Sequence, residues 1–287
     1  MARLLVLDID GTLLDPSDIV TPRVRAAIAE ARARGVEVVL ATGRRVRSTR
    51  PVVEDLGIYL PLVVYNGALV WSTEEDQPLH ETPFTREILA QVITAAREAG
   101  LPPVLLQGPQ AGERILLPDN LPPESEAAVA GYVGPRIQET LRLPWSELPE
   151  QPHILTVDLF SSDDRLRPVT TELANKIGIP AYHHGPWGQA NLWAANLHMP
   201  GVSKASGVAK LAADLGLTMA DVVAVGDGDN DLPLLEAAGV GVAMGNAPAH
   251  VQARADVVVR GHDEDGVAEA IERFVLARLD GREPRLS

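Results

Sequence analysis

Two aspartates, one residue apart, lie near the start of the chain, where residues 4–15 read LLVLDIDGTLLD. Residues 4–7 form a short apolar run typical of a central parallel strand, and Asp8 and Asp10 follow it directly. Side chains alternate along a strand, so we expect both carboxylates on the same side if the strand continues that far. Crowded like charges require a cation or a shared proton. A polar turn is the alternative interpretation, since Asp and Gly are ordinary turn residues.

A second acidic stretch, GDGDND at residues 226–231, follows the apolar run at 221–225 and precedes a predicted helix. Ligands of open α/β sheets bind beyond the carboxyl ends of the strands, and Mg²⁺ prefers carboxylate and other oxygen ligands. A calcium loop of the EF-hand type is excluded, because Ala238 occupies the position of its final glutamate. Helix capping is an alternative role for Asn230 and Asp231, and it is compatible with a metal site.

Two weaker features indicate anion binding. Thr42, Gly43 and Arg44 follow the second apolar run, and a glycine there lets backbone N–H groups approach an anion closely. Lys204 lies at the predicted start of a helix, where an ammonium can supply a point charge to a phosphate. Taken singly, the first feature is more typical of a turn before a helix, and the second of a solvated surface lysine.

Alternating strands and helices position these motifs. A strand at 4–7, a helix at 21–34 and a strand at 36–41 form a βαβ unit, which predicts a parallel pair with a right-handed crossover. Further helices are predicted at 46–56, 85–100, near 124–131, and at 163–177, 203–215, 231–238, 247–254 and 265–279. Further strands are predicted at 62–71 (with a turn at 66–67), 101–107, 114–117, 153–160, 221–225, 240–244 and 255–259. The pattern predicts an α/β fold with a parallel sheet.

The α/β pattern is interrupted in the middle of the chain. Residues 108–152 are rich in Pro and Gly, and the earlier pattern returns only after about residue 191. We therefore predict that residues 1–82 and 191–287 form one core domain, and that residues 83–190 form an inserted second domain of α+β type. The length of 287 residues accommodates two domains of ordinary size.

Composition limits the partners. The formal net charge of −14 argues against binding to a nucleic-acid backbone, because a protein that binds one needs basic patches. The charge is compatible with a small phosphorylated substrate. No apolar run is long enough for a membrane span, and no signal-peptide pattern is evident. The absence of cysteine excludes disulfides and thiolate metal ligands. We expect a cytoplasmic protein that contacts neither nucleic acid nor membrane, and no oligomeric state is predicted.

Taken together, the motifs resemble a known family. DIDGT at 8–12, TGR at 42–44, Lys204 and GDGDND at 226–231 are similar, in order and placement, to the four motifs of the haloacid dehalogenase (HAD) superfamily. The similarity continues through residues 231–259. This fuller pattern resembles the Cof-type phosphatases, which combine a Rossmann-like core with a large α/β cap of type IIB between the second and third motifs. The insertion at 83–190 fits that cap in position and size.

The resemblance implies a role for each matching residue. Asp8 would be the nucleophile and a Mg²⁺ ligand, and Asp10 would be the general acid and base, with its backbone carbonyl on the metal. Asp227 would complete the metal site, for which it matches better than Asp229, and Asp231 would support it or Lys204. The phosphate-binding residues would be Ile9, Thr42, Gly43, Lys204 and Asn230.

The function expected from this resemblance is a Mg²⁺-dependent phosphomonoesterase that hydrolyses small metabolites, such as sugar phosphates, through an aspartyl-phosphate. Phosphoryl transfer relies on positioning and charge stabilisation, which these residue types supply. A sugar phosphomutase is an alternative. A binding regulator without turnover is another, but it predicts a lost nucleophile or metal ligand. We expect the cap to select the substrate and its closure to exclude water.

One further group remains open between two interpretations. Aromatic and histidine side chains precede the return to the core: His183, His184, Trp187, Asn191 and Trp193. They either line the substrate pocket or pack within the cap, and packing is the more frequent role of such residues.

Overall fold

A computed structural model describes residues 3–57, 61–187 and 192–281 of the chain. The helices are α1 Pro22–Ala33, α2 Val46–Leu56, α3 Arg86–Glu98, α4 Pro123–Val133, α5 Leu166–Ile177, α6 Lys204–Asp214, α7 Leu232–Ala237, α8 Ala249–Gln252, α9 Gly266–Ala270 and α10 Ala277–Leu279. The strands are β1 Leu4–Leu7, β2 Glu37–Leu40, β3 Leu62–Val64, β4 Leu69–Ser72, β5 Gln77–Glu81, β6 Pro103–Gln107, β7 Ile115–Pro118, β8 Thr140–Leu143, β9 Ile154–Ser161, β10 Ala181–Trp187, β11 Leu192–Leu197, β12 Val222–Gly226, β13 Val240–Ala243 and β14 Val257–Val258. The chain divides into two compact units, residues 1–81 with 203–287, and residues 82–202.

The first unit is built on a parallel sheet. Within the described residues its strand order is β14-β13-β12-β1-β2, and the strand pairs along it are parallel. The strands β1, β12 and β13 are fully buried apolar runs, as expected for strands covered on both faces. The predicted α/β class with a parallel sheet is confirmed. Because the strands run in parallel, their carboxyl ends lie at one edge of the sheet.

Local sequence signals determine where the helix between β1 and β2 begins. The Thr21 hydroxyl accepts a hydrogen bond from the backbone N–H of Val24, and Pro22 occupies the first helical position. The helix α1 therefore begins where the sequence predicts. A small antiparallel sheet, β3-β4-β5, adjoins the parallel one through a bridge between Ala41 and Val63. The strand β5 is not among the predicted elements.

The second unit is a mixed α+β arrangement. Its sheet has the strand order β10-β11-β9-β6-β7-β8, in which only β7 and β8 pair in parallel among the described strands. The helices α3 and α5 pack on this sheet and bury apolar residues such as Leu89, Val92 and Leu173 against Leu105 and Val157. This unit has its own hydrophobic core, which is the physical basis for treating it as a domain.

The predicted second domain boundary, between residues 190 and 191, needs a correction. The strand β11 pairs antiparallel with β9 and β10, so Leu192–Leu197 completes the sheet of the second unit instead of returning to the first. The second unit ends at Val202, and the first resumes at Ser203, directly before α6. No described helix is both long enough and apolar enough to cross a lipid bilayer.

Candidate active site

The candidate site lies at the carboxyl edge of the parallel sheet. Asp8 follows β1, and its backbone N–H bonds to the carbonyl of Val225 in β12. Thr42 lies just beyond β2, and Asp227 directly follows β12. Because neighbouring parallel strands end together, residues that are far apart in sequence meet at this edge. The predicted placement of the motifs at strand ends therefore agrees with the structure.

Lys204 joins two of these motifs. Its side chain is fully buried, and Nζ donates to Asp8 Oδ1 at 2.6 Å and to Asp231 Oδ1 at 2.7 Å. The lysine is the first residue of α6, whose start is fixed by a capping box between Ser203 and Ser206. A buried ammonium is tolerated only when carboxylates compensate its charge, so this lysine is not the solvated surface residue that its sequence position alone suggests.

Asp231 supports the arrangement. Its Oδ2 accepts hydrogen bonds from the backbone N–H groups of Asp227 at 3.1 Å and Gly228 at 2.9 Å, while Oδ1 accepts from Lys204. One buried carboxylate therefore fixes both the loop after β12 and the ammonium. The supporting role expected for Asp231 stays a prediction; the structure shows its contacts with the Lys204 ammonium and with the backbone of the loop after β12.

Asp227 is held from two sides. Its Oδ1 accepts from the hydroxyl of Thr12 at 3.0 Å, and its Oδ2 accepts from the side-chain amide of Asn246 at 3.3 Å. Gly11 packs directly against it: the φ of this glycine is +73°, and a Cβ there would lie 2.4 Å from Asp227 Oδ2. Only glycine allows the loop after β1 to approach the carboxylate this closely.

Burial and like charge raise the pKa of the carboxyl groups. Desolvation, followed by repulsion from Asp231, raises the pKa of Asp8 well above its ordinary value, although Lys204 opposes the shift. The same two causes raise the pKa of Asp227 to about 6. Burial disfavours the ammonium of Lys204, but the charges of Asp231 and Asp8 outweigh it and raise the lysine pKa. The site therefore carries an excess of negative charge that one lysine does not neutralise.

The donor set fits a divalent cation. Carboxylate oxygens of Asp8, Asp227 and Asp231 all lie within 4.8 Å of one another. Among the described contacts Asp231 accepts three hydrogen bonds, from the Lys204 ammonium and two backbone N–H groups, whereas Asp227 accepts two and Asp8 one; Asp8 and Asp227 are therefore the better candidate ligands of the three. Hard cations such as Mg²⁺ bind through one or two carboxylates, and a cation here would relieve the repulsion that raises both pKa values.

Asp10 lies beyond the end of strand β1. The strand β1 ends at Leu7, and the backbone then enters an irregular turn at Ile9–Leu13, so strand alternation does not extend to residue 10. The Asp10 carboxylate is 60% exposed and accepts two hydrogen bonds from the Arg44 guanidinium, at 2.8 Å from Nε and 2.5 Å from Nη2. The condition under which strand alternation would place Asp8 and Asp10 on the same side is therefore not met, and the predicted role of Asp10 stays a prediction.

The predicted phosphate-binding residues surround the same edge. Ile9 and Thr42 are buried, and the Thr42 hydroxyl accepts from the backbone N–H of Arg44. Asn230 is also buried, and its amide donates to Asn66 Oδ1 at 2.8 Å. A Cβ at Gly43 would lie 3.0 Å from that same oxygen, so Asn66 joins the loops after β2 and β12.

Sequence reasoning missed four side chains that contact the site residues: Thr12, Arg44, Asn66 and Asn246. Arg44 and Thr12 lie inside stretches that were singled out, but neither received a role. Asn66 belongs to the predicted turn at 66–67, and its φ of +52° is the left-handed conformation that asparagine tolerates. The loop bearing Asn246 follows a predicted strand, which is the signal that could have found it.

The histidine and tryptophan group divides between packing and polar contacts within the second unit. His183 Nε2 lies 2.7 Å from the Thr170 hydroxyl, and Trp193 packs on the apolar core of that unit. His184 contacts Asn196, which donates to the buried Asp158. Asn191 and the side chain of Trp187 lie outside the described residues. Of the two interpretations left open above, packing within the second unit is the one that agrees with the contacts of His183 and Trp193.

Comparison with known families decides the class. The model of the haloacid dehalogenase-like hydrolases matches residues 5–271, which is most of the chain. The chain belongs to this family. The predicted resemblance to the HAD superfamily is confirmed.

Individual relatives of this HAD hydrolase are similar over nearly their full length. A phosphoglycolate phosphatase of Methanopyrus kandleri is 30% identical and covers 98% of this chain and 100% of its own. The 5-amino-6-(5-phospho-D-ribitylamino)uracil phosphatase YcsE of Bacillus subtilis is 28% identical, with 96% of each chain covered. A solved phosphatase structure from Bacteroides thetaiotaomicron is 27% identical, with a TM-score of 0.78 over 96% of this chain and 95% of the other. The predicted enzyme class, a HAD-type phosphatase, is confirmed by these relatives.

Proposed function

We propose that this HAD hydrolase is a Mg²⁺-dependent phosphomonoesterase that acts on small phosphorylated metabolites through an aspartyl-phosphate. The observation that carries the proposal is the buried contact of Lys204 with Asp8 and Asp231, beside Asp227 at the carboxyl edge of the sheet. It combines a carboxylate nucleophile, a fixed cation and a set of metal-ligating oxygens. These are the components that phosphoryl transfer requires.

Asp8 is the proposed nucleophile. A carboxylate oxygen of Asp8 attacks phosphorus, the bond from phosphorus to the ester oxygen breaks, and the phosphoryl group is transferred to the aspartate. Water then attacks the aspartyl-phosphate, which releases inorganic phosphate and restores the carboxylate. Dividing one displacement into two easier ones is the advantage of covalent catalysis. The contact with Lys204 at 2.6 Å orients the nucleophile and favours its ionised form despite burial.

Asp10 is the proposed general acid and base, and Arg44 governs its position. The leaving alcohol takes a proton from Asp10, which later removes one from the attacking water. In the structure the Asp10 carboxylate pairs with Arg44 in a bidentate contact, so proton donation requires this ion pair to open or shift. The ion pair holds the acid near the site between turnovers.

The remaining roles concern charge. Asp8 and Asp227 would hold the Mg²⁺ ion, together with the backbone carbonyl of Asp10. When bound, the ion supplies Lewis-acid stabilisation of the charge on the transferring group. Lys204 contributes a second, permanent positive charge. The backbone N–H groups of Ile9 and Gly43, the Thr42 hydroxyl and the Asn230 amide are the proposed donors to the phosphate oxygens: each lies at the same edge of the sheet.

The inserted unit, residues 82–202, is proposed to act as the cap that selects the substrate. Relatives with the same overall fold act on different small phosphates, a phosphoglycolate in one case and a phosphorylated ribitylaminouracil in another. The proposed phosphate-binding residues belong to the first unit, so the residues that distinguish one substrate from another are expected in the second. A cytoplasmic location, where such metabolites and Mg²⁺ occur together, stays a prediction.

Phosphate release from a panel of phosphorylated metabolites tests the proposal. The panel is assayed with Mg²⁺ and with EDTA, for the wild type, Asp8→Asn and Asp227→Asn. Asp229→Asn is the matched control, because Asp229 lies in the same acidic loop and its carboxylate pairs with the exposed His250. We expect activity that requires Mg²⁺, Asp8 and Asp227 and that survives in the control.

Three results would contradict the proposal. Full activity of Asp8→Asn would remove the nucleophile assignment. Conversion of a sugar phosphate to its isomer without phosphate release would favour the mutase alternative, in which the phosphoryl group returns to a sugar hydroxyl instead of passing to water. Binding of metabolites without any turnover would favour the regulator.

A further inference from the structure

Asn246, in the loop directly after β13, contacts three other loops through one side chain. Its Nδ2 donates to the backbone carbonyl of Gly11 at 2.8 Å and to Asp227 Oδ2 at 3.3 Å. Its Oδ1 accepts from the backbone N–H of His262 at 3.0 Å. The side chain therefore joins the segments that follow β1, β12 and β14, although the residue itself is exposed at the rim.

The orientation of this amide is fixed by its partners. The two acceptors, a carbonyl and a carboxylate, face the NH₂ group, and the one donor faces the oxygen. A reversed amide would place its oxygen against both acceptors and its NH₂ against an N–H group. Neither alanine nor serine can make the three contacts at once. Asn246 is therefore suited to hold Asp227 at one angle relative to the loop after β1.

Close backbone packing supports the same arrangement. A Cβ at Gly245 would lie 2.9 Å from the carbonyl of Val259 and 2.9 Å from the backbone nitrogen of Gly261, which brings the Asn246 loop against the segment after β14. Gly11 approaches Asp227 in a similar way on the other side. These glycines set the loops at hydrogen-bonding distance of the amide, so its contacts are not those of a freely moving surface side chain.

We propose that Asn246 is a positioning residue that orients the Asp227 carboxylate for a divalent cation. The inference rests on the proposed function, because it takes Asp227 as a metal ligand. Partners that orient a metal ligand contribute about 10- to 100-fold to metal affinity. Thr12, which donates to Asp227 Oδ1 at 3.0 Å, holds the other oxygen. The two donors together leave the carboxylate little freedom to rotate.

Mn²⁺ binding tests the inference without relying on activity. The purified full-length protein is titrated with Mn²⁺, and the free ion is counted by electron paramagnetic resonance. We compare the wild type with Asn246→Ala, Thr12→Val, the double variant and Asp227→Asn. Gln252→Ala is the matched control, since Gln252 donates to the carbonyls of Gly245 and Ala247 and so supports the same loop without touching Asp227. Thermal unfolding verifies that each variant is folded.

We expect Asn246→Ala to weaken Mn²⁺ binding by about 10-fold and the control by less than about 2-fold. Because both donors act on one carboxylate, the double variant should lose less affinity than the product of the two single effects. The inference is overturned if Asn246→Ala binds Mn²⁺ like the wild type, or if Gln252→Ala weakens binding as much, which would indicate loop rigidity alone. If the wild type takes up no Mn²⁺, or if Asp227→Asn binds like the wild type, the proposed cation site itself is wrong and this inference falls with it.

Discussion

Replacing Asp227 by asparagine should stabilise the metal-free protein while abolishing its activity. The pKa of this carboxyl group rises from an ordinary 3.8 to about 6, first through burial and then through repulsion from Asp231. Each pKa unit corresponds to about 1.4 kcal/mol, so the ionised carboxylate destabilises the fold by about 3 kcal/mol at neutral pH. Asparagine removes the charge but loses one acceptor, which costs about 1 kcal/mol. We expect a net gain of about 2 kcal/mol in the free energy of unfolding.

The pH dependence follows from the same shift. Between pH 3.8 and about 6 the folded protein binds more protons at Asp227 than the unfolded chain does. The contribution of this group to stability therefore falls as the pH rises through that window, and the full penalty is present above it. The advantage of Asp227→Asn should be largest above about pH 7 and should give way to a deficit of about 1 kcal/mol near pH 4, because the lost acceptor remains when the charge penalty has disappeared. A divalent cation should reverse the order, because it stabilises only the form that binds it.

Urea unfolding at several pH values, in EDTA and in excess Mg²⁺, measures these effects. Asp229→Asn in the same loop is the control, and it should stay within about 1 kcal/mol of the wild type, because its exposed partner His250 makes only a weak pair. The reasoning is refuted if Asp227→Asn is less stable than the wild type in EDTA at neutral pH. If Mg²⁺ stabilised the wild type and Asp227→Asn equally, the assignment of Asp227 as a metal ligand would be wrong, whatever the result in EDTA.

Three further outcomes are expected. Lys204→Met leaves buried carboxylates without their cation, so it should lower the free energy of unfolding, measured by urea unfolding, by about 3–5 kcal/mol. A loss below about 1 kcal/mol would contradict a stabilising role of the ion pairs. Arg44→Ala releases Asp10 and should reduce kcat about 10-fold on alkyl phosphates but less on aryl phosphates, whose leaving groups need less acid catalysis; equal losses would argue against this role. Burial lowers the pKa of His198 to about 4, so stability should fall by about 3 kcal/mol as the pH drops from about 6.5 to 4. His198→Gln should abolish that dependence on pH.

The parallel core could be predicted from the sequence because its signals are local and consistent. The helix α2 has the predicted bounds, and the strand β12 lies within one residue of its predicted position. Continuous apolar runs, a capping threonine before α1 and glycine after it all indicate the same fold. The strand ends then follow from the topology, and with them the edge at which Asp8 and Asp227 meet.

The sheet of the second unit was less predictable. The strands β8, β10 and β11 were not predicted, and each has a physical reason. Thr140–Leu143 is an edge strand whose residues are partly or fully exposed, so it lacks an apolar run. Ala181–Trp187 contains Gly and Pro, which weaken a strand pattern. Leu192–Leu197 pairs with β9 as well as with its neighbour β10, and the pairing with β9 is a non-local contact that composition does not reveal.

The side-chain partners within the site depend on backbone conformation beyond the strand ends. Strand alternation would place Asp10 beside Asp8, but the turn at Ile9–Leu13 directs its carboxylate to Arg44. The same turn brings Gly11 against Asp227, where Asn246 contacts both. A sequence pattern locates a site at a sheet edge, since the strand order determines where loops meet. It does not determine which loop side chains pair, because that depends on a few φ and ψ angles. Arg44 and Asn246 are for this reason the residues at which the structure adds most to the chemistry.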